Sequence, residues 1–337
     1  MTDAERLEQL KAALEDANKI VKLTGDKNAS VAEAAMYQFA QALTLPLRQG
    51  ILSGDIHSDI FEKPQFDYGQ RPEFPLDLLA PGSEGEIVAY TIPKTGRIPE
   101  RNVEADVIMV PTYYIGNAID WPLYVARSAQ WDWIGRALQV LRAGFTKKMN
   151  DDGWHVLLAA GVDRNIVVYD SGATAGQFTK RLVTLMQTTM ARNAGGNSSS
   201  MNRGRLTDLY MAPENMADIR NWNVDQIDEI TRREIFISEN LVRIFSVNLH
   251  DIVELGTSQE YQTYYTSKLS GTLASSDTYL LVGLDLANKD SFVMPMVGDI
   301  EVNPDPALLR QARVGYYGRA EMGVAALDTR RVLLGSC

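Results

Sequence analysis

The chain has 337 residues, of which 33 are basic and 43 acidic, so its formal net charge is −10. Hydrophobic residues make up 45% and charged residues 23%, values that are ordinary for a folded protein and exclude disorder of the whole chain. The acidic balance argues against a protein that reads nucleic-acid sequence, because such proteins carry a basic surface, but it does not exclude a container for nucleic acid.

The cysteine content and the hydropathy of the chain indicate the kind of cellular compartment in which it is made. The single cysteine, Cys337, cannot form an internal disulfide or supply a cysteine-based zinc site, which favours a reducing compartment. No apolar run approaches the roughly 18–20 residues of a membrane span. The acidic start of the chain lacks the apolar core of a secretory signal. The length suits about two domains.

The first 85 residues divide into a helical part and an extended part. Residues 1–53 predict two helices, because capping-box patterns at Thr2–Glu5 and Ser30–Glu33 each precede apolar residues at helical spacing. Residues 54–85 are rich in proline and glycine, which predicts an extended arm without a helix. The aromatic residues of the arm include Phe61, Phe66, Tyr68 and Phe74. Since aromatic side chains are usually buried, we expect the arm to lie on its own chain or on a neighbour.

A projecting hairpin and a long helix follow the arm. Residues 86–110 predict two strands around a turn at Pro93–Gly96. Asp120 as a cap and Pro122 in the first turn predict the start of the longest helix, and Gly153 predicts its end. At about 1.5 Å per residue, this helix would be a rod of roughly 44 Å.

From residue 154 onward the pattern is mixed α/β. The predicted elements are helices over 174–190, 212–219 and 224–233, strands over 206–211, 241–247 and 279–284, and a long strand thinned by glycines over 313–327. Such a mixture is typical of a sheet covered by helices.

One short motif would carry chemistry. Asp170-Ser171-Gly172-Ala173-Thr174 follows an apolar run and resembles the active-site motif of retroviral-type aspartic proteases, which share a proton between two carboxylates. The apolar strand and the Gly-Arg helix that follow in such proteases are missing here. The sequence therefore favours the alternative, in which Asp170 to Thr174 ends a strand and caps the helix that begins near Thr174.

The remaining reactive residues form no recognisable site. His57, His155 and His250 each lack a second histidine three or four residues away, so no helical metal site is predicted. The sequence carries no phosphate-binding or dinucleotide-binding glycine motif and no Gly-x-Ser-x-Gly elbow. We therefore expect no catalytic, cofactor-binding or metal-binding residues. The basic pairs Arg232-Arg233 and Arg330-Arg331 are expected to be solvated or ion-paired.

The order of the parts is more informative than any motif. N-terminal helices, an arm, a projecting hairpin, a long spine helix, an α/β domain and a returning C-terminal strand follow one another. This order resembles the major capsid proteins of tailed bacteriophages, which have the Hong Kong 97-type fold of class α+β. The resemblance covers nearly the whole chain and is carried by residues 86–110, about 120–150, 206–219 and 316–332.

The resemblance implies a division into structural parts. These are N-terminal helices (1–53), an N-terminal arm (54–85), an extended hairpin loop (86–115), a peripheral domain with the spine helix (116–164 and 301–337) and an axial α/β domain (165–300). Arm and hairpin would be covered by other copies of the chain. The implied inter-subunit residues are Ile92, Lys94, Arg97, Ile98, Phe61, Phe66, Tyr68 and Phe74.

Two processing steps occur in some members of that family. One is removal of an N-terminal scaffolding segment, which could correspond to residues 1–24. Because the chain begins at Met1, we expect no removal. The other is a covalent Lys–Asn cross-link from the hairpin. No matching Asn and Glu can be placed, so Lys94 is expected to be an ordinary interface or surface lysine.

The function implied by the resemblance is structural rather than enzymatic. Such a protein self-assembles into hexamers and pentamers of an icosahedral shell that encloses packaged double-stranded DNA without sequence-specific binding. Its partners would be itself, a portal protein, a scaffolding protein and a decoration or cement protein, with no membrane. It would be made in the host bacterial cytoplasm and reside in the virion. The alternatives are an encapsulin-like nanocompartment shell and an aspartic protease that uses Asp170.

Overall fold

The computed structural model describes residues 34, 37, 38, 40, 56–75, 107–124, 133–193, 204–222, 243–274, 277–287 and 291–337. The chain divides into two compact units. The first unit comprises Met1–Pro72, Val110–Gly153 and Met294–Val324, and the second comprises Glu73–Met109, Trp154–Val293 and Ala325–Cys337.

The described residues form both α-helices and β-strands. The α-helices are α1 (Ile56–Ile60), α2 (Trp133–Asp163), α3 (Lys180–Asn193), α4 (Pro213–Arg220) and α5 (Glu260–Ser267). The strands are β1 (Gln65–Phe66), β2 (Glu73–Pro75), β3 (Val107–Met109), β4 (Tyr113–Pro122), β5 (Val167–Val168), β6 (Asp208–Met211), β7 (Arg243–Ile244), β8 (Val247–Asp251), β9 (Leu280–Leu284), β10 (Phe292–Val293), β11 (Met296–Pro304), β12 (Arg313–Met322), β13 (Ala325–Ala326) and β14 (Val332–Ser336). Short 3₁₀ turns span Val253–Leu255, Pro306–Gln311 and Thr329–Arg331.

The first unit contains a four-stranded sheet in the order β1-β11-β12-β4. β12 runs antiparallel to β4 along its whole length, from Arg313 opposite Pro122 to Met322 opposite Tyr113. β11 is antiparallel to β12 on its other side, and the arm strand β1 joins the edge parallel to β11. The arm is thus part of the sheet of the first unit.

The first part of α2 packs on this sheet. Leu141, Phe145 and Met149 recur at a spacing of four residues and are buried. Asn117 on β4 donates hydrogen bonds from Nδ2 to the carbonyl oxygens of Val140 and Leu141, at 3.3 and 3.4 Å. The helix is therefore held by apolar packing and by a side chain that reaches its backbone.

Both predicted ends of this helix are wrong. Asp120 and Pro122 belong to β4, residues 123 and 124 are helical, and α2 itself begins at Trp133. Gly153 lies inside α2, which continues to Asp163. A Cβ at Gly153 would come within 2.9 Å of the Phe61 ring, so this glycine allows a close approach and does not end the helix.

The second unit contains a six-stranded sheet in the order β5-β14-β9-β6-β8-β7. Every residue of β9 and β14 is buried, as expected for strands covered on both faces. One face packs against α3 and α4, where Met186 and Ile219 join Leu333 in the apolar core. The end of α2 lies on the opposite face, where a Cβ at Gly161 would come within 2.6 Å of Leu334.

Cys337 completes the core of the second unit. Its carbonyl oxygen accepts hydrogen bonds from the backbone N–H groups of Thr278 and Tyr279, at 2.8 and 3.0 Å. Its thiol donates to Asn215 Oδ1 at 3.5 Å. Burial, with smaller effects of nearby aspartates, raises the pKa of the thiol to about 12. The thiol is therefore protonated and enclosed at neutral pH.

Several predicted elements of the second half are confirmed with shifted ends. The strands predicted over 206–211, 241–247, 279–284 and 313–327 correspond to β6, β7 with β8, β9, and β12 with β13. The helix predicted over 212–219 is confirmed as α4, with Pro213 in its first turn. The helix predicted over 174–190 begins later, as α3. The helix predicted over 224–233 lies outside the described residues.

The predictions for the N-terminal third are confirmed only in part. Residues 34, 37, 38 and 40 are helical, in agreement with the second N-terminal helix, and the rest of 1–53 lies outside the described residues. The arm was predicted to lack helix, which is wrong, because α1 precedes Pro64, the first proline of the arm. Of the predicted hairpin, the structure describes the returning strand as β3, paired with β2 of the arm.

The compact units and the predicted domains are divided at different residues. The sequence grouped 301–337 with the spine helix. In the structure β14 pairs with β9 and β5, and residues 325–337 belong to the second unit. The assignment of peripheral and axial roles stays a prediction.

Candidate assembly surfaces

The eight predicted inter-subunit residues fall into two groups. Ile92, Lys94, Arg97 and Ile98 lie outside the described residues. The four arm aromatics are described, and they occupy different surroundings.

Phe61 faces the interior of its own chain. It is 4% exposed, and its ring lies against Gly153 of α2. The backbone around it is fixed as well, because Met294 N–H donates to the Glu62 carbonyl at 2.7 Å and Met296 N–H donates to the Pro64 carbonyl at 2.9 Å. This part of the arm is anchored to its own unit, and the half-buried Phe66 follows it in β1.

Tyr68 lies on the solvent-facing side of the four-stranded sheet. It is 58% exposed, and its hydroxyl donates to Glu301 Oε1 at 3.1 Å. Its ring covers Gly298, which has φ of +67°, and a Cβ there would collide with the ring. Glycine is thus required at this position for both conformation and space.

A row of side chains continues from Tyr68 across the sheet. Glu301 Oε2 pairs with the Arg319 guanidinium at 3.4 Å, and that guanidinium lies 5.1 Å from the centre of the Tyr114 ring. The hydrogen bond between Tyr114 and Glu321 raises the pKa of the Tyr114 hydroxyl. We call these five residues, Tyr68, Glu301, Arg319, Tyr114 and Glu321, the tyrosine–arginine strip.

The strip combines two tyrosines and an arginine with two glutamates, a residue type that interfaces contain less often. Tyrosine and arginine are enriched in interfaces and in the residues that dominate binding energy. Tyr114 is 62% exposed, and Tyr317, which lies two residues before Arg319 on β12, is 41% exposed. The sequence predicted Tyr68 as an inter-subunit residue, but it did not predict Tyr114 or Arg319 as contact residues. The available signal was the alternation of polar and apolar residues along β12.

Phe74 lies in a two-stranded ribbon formed by β2 and β3. It is half-buried opposite Ile108, whereas Val107 and Met109 are 52% and 54% exposed. An isolated two-stranded ribbon is marginally stable in water. Val107 and Met109 make the ribbon a second exposed surface with apolar side chains, and its strand β3 is the returning strand of the predicted hairpin.

The carboxylate of Asp170 accepts hydrogen bonds from residues that follow it closely in sequence. Its Oδ1 accepts from Gly172 N–H at 3.0 Å and its Oδ2 from the Thr179 hydroxyl at 2.9 Å, while Arg181 lies 3.5 Å away. The prediction that Asp170 to Thr174 caps the following helix is wrong, because α3 begins at Lys180 and its first turn is capped by Thr179, whose Oγ1 accepts from Leu182 N–H at 3.3 Å. A protease pair needs a second carboxylate that shares a proton, and the partners of Asp170 named here are hydrogen-bond donors.

Asp208 forms a polar cluster in the second unit. Its Oδ1 accepts from Asn248 Nδ2 at 3.0 Å and contacts His250 Nε2 at 2.9 Å. Burial opposes ionisation, but hydrogen bonds from His250, Thr207 and Asn248 prevail and lower the pKa of Asp208. The His250 ring also stacks on Tyr210, with ring centres 4.6 Å apart.

The pair Arg330-Arg331 is ion-paired, as predicted, and it is also buried. Arg331 pairs with Asp285, whose side chain is 1% exposed. Arg330 donates to both carboxylate oxygens of Asp328, at 2.8 and 2.9 Å. Burial opposes ionisation of Asp328, but the hydrogen bonds from Arg330 and the charges of Arg330 and Arg331 together outweigh it and lower the pKa of this carboxyl. Arg232-Arg233 lies outside the described residues.

The described ranges contain neither a cluster of metal ligands nor a helix that could span a membrane. Within them, no group of three or more His, Cys, Asp or Glu side chains is placed to hold a metal ion. None of the helices there is long and apolar enough to cross a membrane.

The fold is shared with known structures, although no family model and no curated protein matches the sequence. A structure from Microbacterium phage Oxtober96 is similar at 9% identity and a TM-score of 0.56, over 84% of this chain and 90% of that one. The capsid of a native GTA particle is similar at 12% identity and a TM-score of 0.53, over 84% and 91%. The capsid of the empty GTA particle gives 12% identity and a TM-score of 0.50 over the same shares. The chain has the fold of these structures, and the predicted α+β capsid fold is confirmed.

Proposed function

We propose that the chain is a major capsid protein that assembles into hexamers and pentamers of an icosahedral shell around packaged double-stranded DNA. The observation that carries this proposal is the fold. Over 84% of its length the chain follows the fold of a chain in the capsid of a GTA particle, and it covers 91% of that chain.

In this proposal the two units have different tasks. The first unit corresponds to the peripheral domain, with α2 as the spine helix and the tyrosine–arginine strip as an outer contact surface. The second unit corresponds to the axial domain, whose loops meet at the centre of a capsomer. The hairpin with Ile92, Lys94, Arg97 and Ile98 reaches a neighbouring copy. Such head-to-tail contacts close into rings when the rotation between copies is suitable.

The charge of the chain suits a shell around DNA. A net charge of −10 repels a polyanion and allows it to be enclosed without being held tightly. The shell would be part of the virion, and the chain would be made in the host bacterial cytoplasm. A portal, a scaffolding protein and a decoration or cement protein would be its partners.

The mass and shape of the purified protein test this proposal. Sedimentation velocity and negative-stain electron microscopy should show shell-like particles in the megadalton range. Monomers that stay monodisperse at high concentration, also when a scaffolding protein is co-expressed, would contradict it. Particles from the native source that hold an enzyme cargo and no DNA would support the encapsulin-like alternative.

Removal of residues 92–98 tests the role of the hairpin. We expect this variant to fold, because the segment is predicted to project from the fold, and to form no stable shells, because it is predicted to contact a neighbour. A matched deletion of the same length over 194–200, a run rich in Gly, Asn and Ser, should still assemble. Normal particles from the 92–98 deletion would refute the role of the hairpin.

A further inference from the structure

Three buried aromatic rings lie in contact in the second unit. Trp154 of α2 stacks on Tyr261 of α5 with ring centres 5.6 Å apart, and Tyr210 of β6 meets Trp154 edge-on at 5.2 Å. These separations are those of aromatic side chains in direct contact. Trp154 and Tyr210 are each 2% exposed, and Tyr261 is 4% exposed. The indole of Trp154 is therefore packed in the core against two phenol rings that can themselves be oxidised.

This row of rings continues to the surface at α5. The His155 ring lies 6.4 Å from the Tyr261 ring and stacks on Tyr264 with ring centres 3.8 Å apart. Both His155 and Tyr264 are half-buried, so the last phenol borders solvent. At the other end Tyr210 stacks on His250, whose imidazole is harder to oxidise than a phenol or an indole. We call the oxidisable rings and the histidine between them the aromatic path, which comprises Tyr210, Trp154, Tyr261, His155 and Tyr264.

We propose that the aromatic path carries an oxidising equivalent from Trp154 in the core to Tyr264 at the surface, where a small reductant in solution can remove it. The inference is independent of the proposed function. Electron tunnelling falls steeply with distance, so rings in contact exchange an electron faster than the same rings held apart. At neutral pH a phenol that releases its proton is slightly easier to oxidise than an indole, so the radical moves from tryptophan to tyrosine.

The phenolic proton determines where the radical stops. Oxidation of tyrosine releases the hydroxyl proton, because the phenol radical cation is a strong acid. Tyr210 and Tyr261 are shielded from bulk water, so a proton lost there stays within the fold and returns when the radical moves on. Tyr264 borders solvent and can release its proton to water. We therefore expect Tyr264 to hold the radical, which keeps the oxidation away from the core.

The balance of electrons and protons closes with one oxidant, a cobalt(III) ammine complex. Ultraviolet light ejects an electron from the indole of Trp154, and the complex in solution captures it and becomes cobalt(II). The indole N–H proton leaves, which gives a neutral tryptophanyl radical. Tyr264 then supplies one electron and loses its hydroxyl proton to solvent, while the indole nitrogen regains a proton. The sum is one cobalt(III) reduced, one tyrosyl radical formed and one proton released.

Trapping of the final radical provides the measurement. The full-length protein is illuminated at the long-wavelength edge of indole absorption, where tyrosine absorbs little, in the presence of the cobalt(III) complex and a nitroso spin trap. Mass spectrometry of peptides then measures the trap adduct on each tyrosine. Tyr169 is the reference, because it belongs to the same unit and is 49% exposed. We expect severalfold more adduct on the half-buried Tyr264 than on Tyr169.

Three variants separate transfer along the path from simple accessibility. Trp154→Phe keeps a ring but removes the oxidised indole, so the adduct on Tyr264 should fall severalfold while that on Tyr169 stays unchanged. Tyr261→Phe keeps the packing without an oxidisable phenol, so the adduct on Tyr264 should fall and oxidised products of Trp154 should rise. Tyr265→Phe is the matched control, since Tyr265 is a buried tyrosine of α5 that is not part of the aromatic path, and it should change neither.

Two results would overturn the proposal. One is an unchanged adduct on Tyr264 in Trp154→Phe. The other is an equal fall in Tyr261→Phe and Tyr265→Phe, which would mean that any loss of a buried hydroxyl in α5 has the same effect. Circular dichroism of each variant identifies a loss of the fold, and the comparison of the two tyrosine variants still decides the question if Trp154→Phe does not fold.

Discussion

The two units use charged side chains in opposite ways. In the strip of the first unit, Arg319 and Glu301 are 52% and 42% exposed and pair at 3.4 Å. In the second unit, Arg331 and Asp285 are 7% and 1% exposed, and Asp328 and Arg330 lie beside them. An arginine paired with a carboxylate thus lies at the surface in one unit and in a buried cluster in the other.

This difference separates assembly from stability. An exposed ion pair contributes little to folding, since water and salt screen it, and its groups remain available to another molecule. A buried pair offers nothing to a partner, and removal of one member leaves an uncompensated charge. We therefore expect substitutions in the strip to affect assembly and substitutions in the cluster to affect folding.

The largest effect on stability is expected at Arg331. Arg331→Leu leaves the carboxylate of Asp285 buried without its cation, which should lower the free energy of unfolding by about 3–4 kcal/mol. Urea unfolding followed by circular dichroism measures this loss. The matched change in the strip, Arg319→Leu, should cost less than about 1 kcal/mol. Similar losses from the two variants would refute the contrast between the units.

A double variant tests whether the unpaired charge of Asp285 causes the loss of stability in Arg331→Leu. Replacement of both Arg331 and Asp285 by leucine removes the stranded charge together with its partner. The double variant should therefore be more stable than Arg331→Leu alone. A double variant at least as unstable as the single one would mean that packing, and not the unpaired charge, causes the loss.

We expect acid to lower the stability of the second unit, because its paired carboxylates become protonated. The pKa values of Asp208 and Asp328 are lowered in the folded chain, so their contribution is present above the ordinary value of 3.8 and is lost as the pH falls through the lowered values. Urea midpoints measured between pH 6 and pH 3 should fall toward the acid end. Asp208→Asn should flatten this dependence and cost about 1–2 kcal/mol near neutral pH. An unchanged slope in that variant would contradict the role of Asp208.

The smallest effect on folding, with the clearest effect on assembly, is expected at Arg319. Arg319→Ala removes the cation over the Tyr114 ring and should change the free energy of unfolding by less than about 1 kcal/mol. If the strip contacts a second copy, the fraction of protein in particles should fall severalfold in sedimentation velocity. Lys268→Ala, an exposed substitution outside the strip, is the control. Normal assembly of the Arg319 variant would remove the strip from the interface.

The sequence predicted elements well where one local pattern was decisive. The strand β12 alternates along its length, and Pro213 marks the first turn of α4. The ends of α2 were missed because Asp120 and Pro122 form a good helix start in isolation, whereas their pairing with β12 makes them part of a strand. Gly153 looked like a stop because its partner, Phe61, is distant in sequence.

Sequence patterns alone could not identify the strip as a set of neighbours, because its residues are also distant in sequence. Tyr68, Tyr114 and Arg319 come from three separate strands or loops, and only the register of the sheet brings them together. Tyr114 is distant in sequence from Arg319 and Glu321, its partners on β12. Patterns of period two predict which face a residue occupies, but they carry no information about which strand lies next to it.

The buried Cys337 makes this chain a convenient background for chemical labelling. It is the one cysteine, it is 6% exposed, and its raised pKa leaves almost no thiolate at neutral pH. A thiol-directed dye should therefore ignore the unmodified folded protein. A cysteine introduced on the strip would then be the single reactive thiol of the molecule, and its accessibility would report directly on what covers that surface.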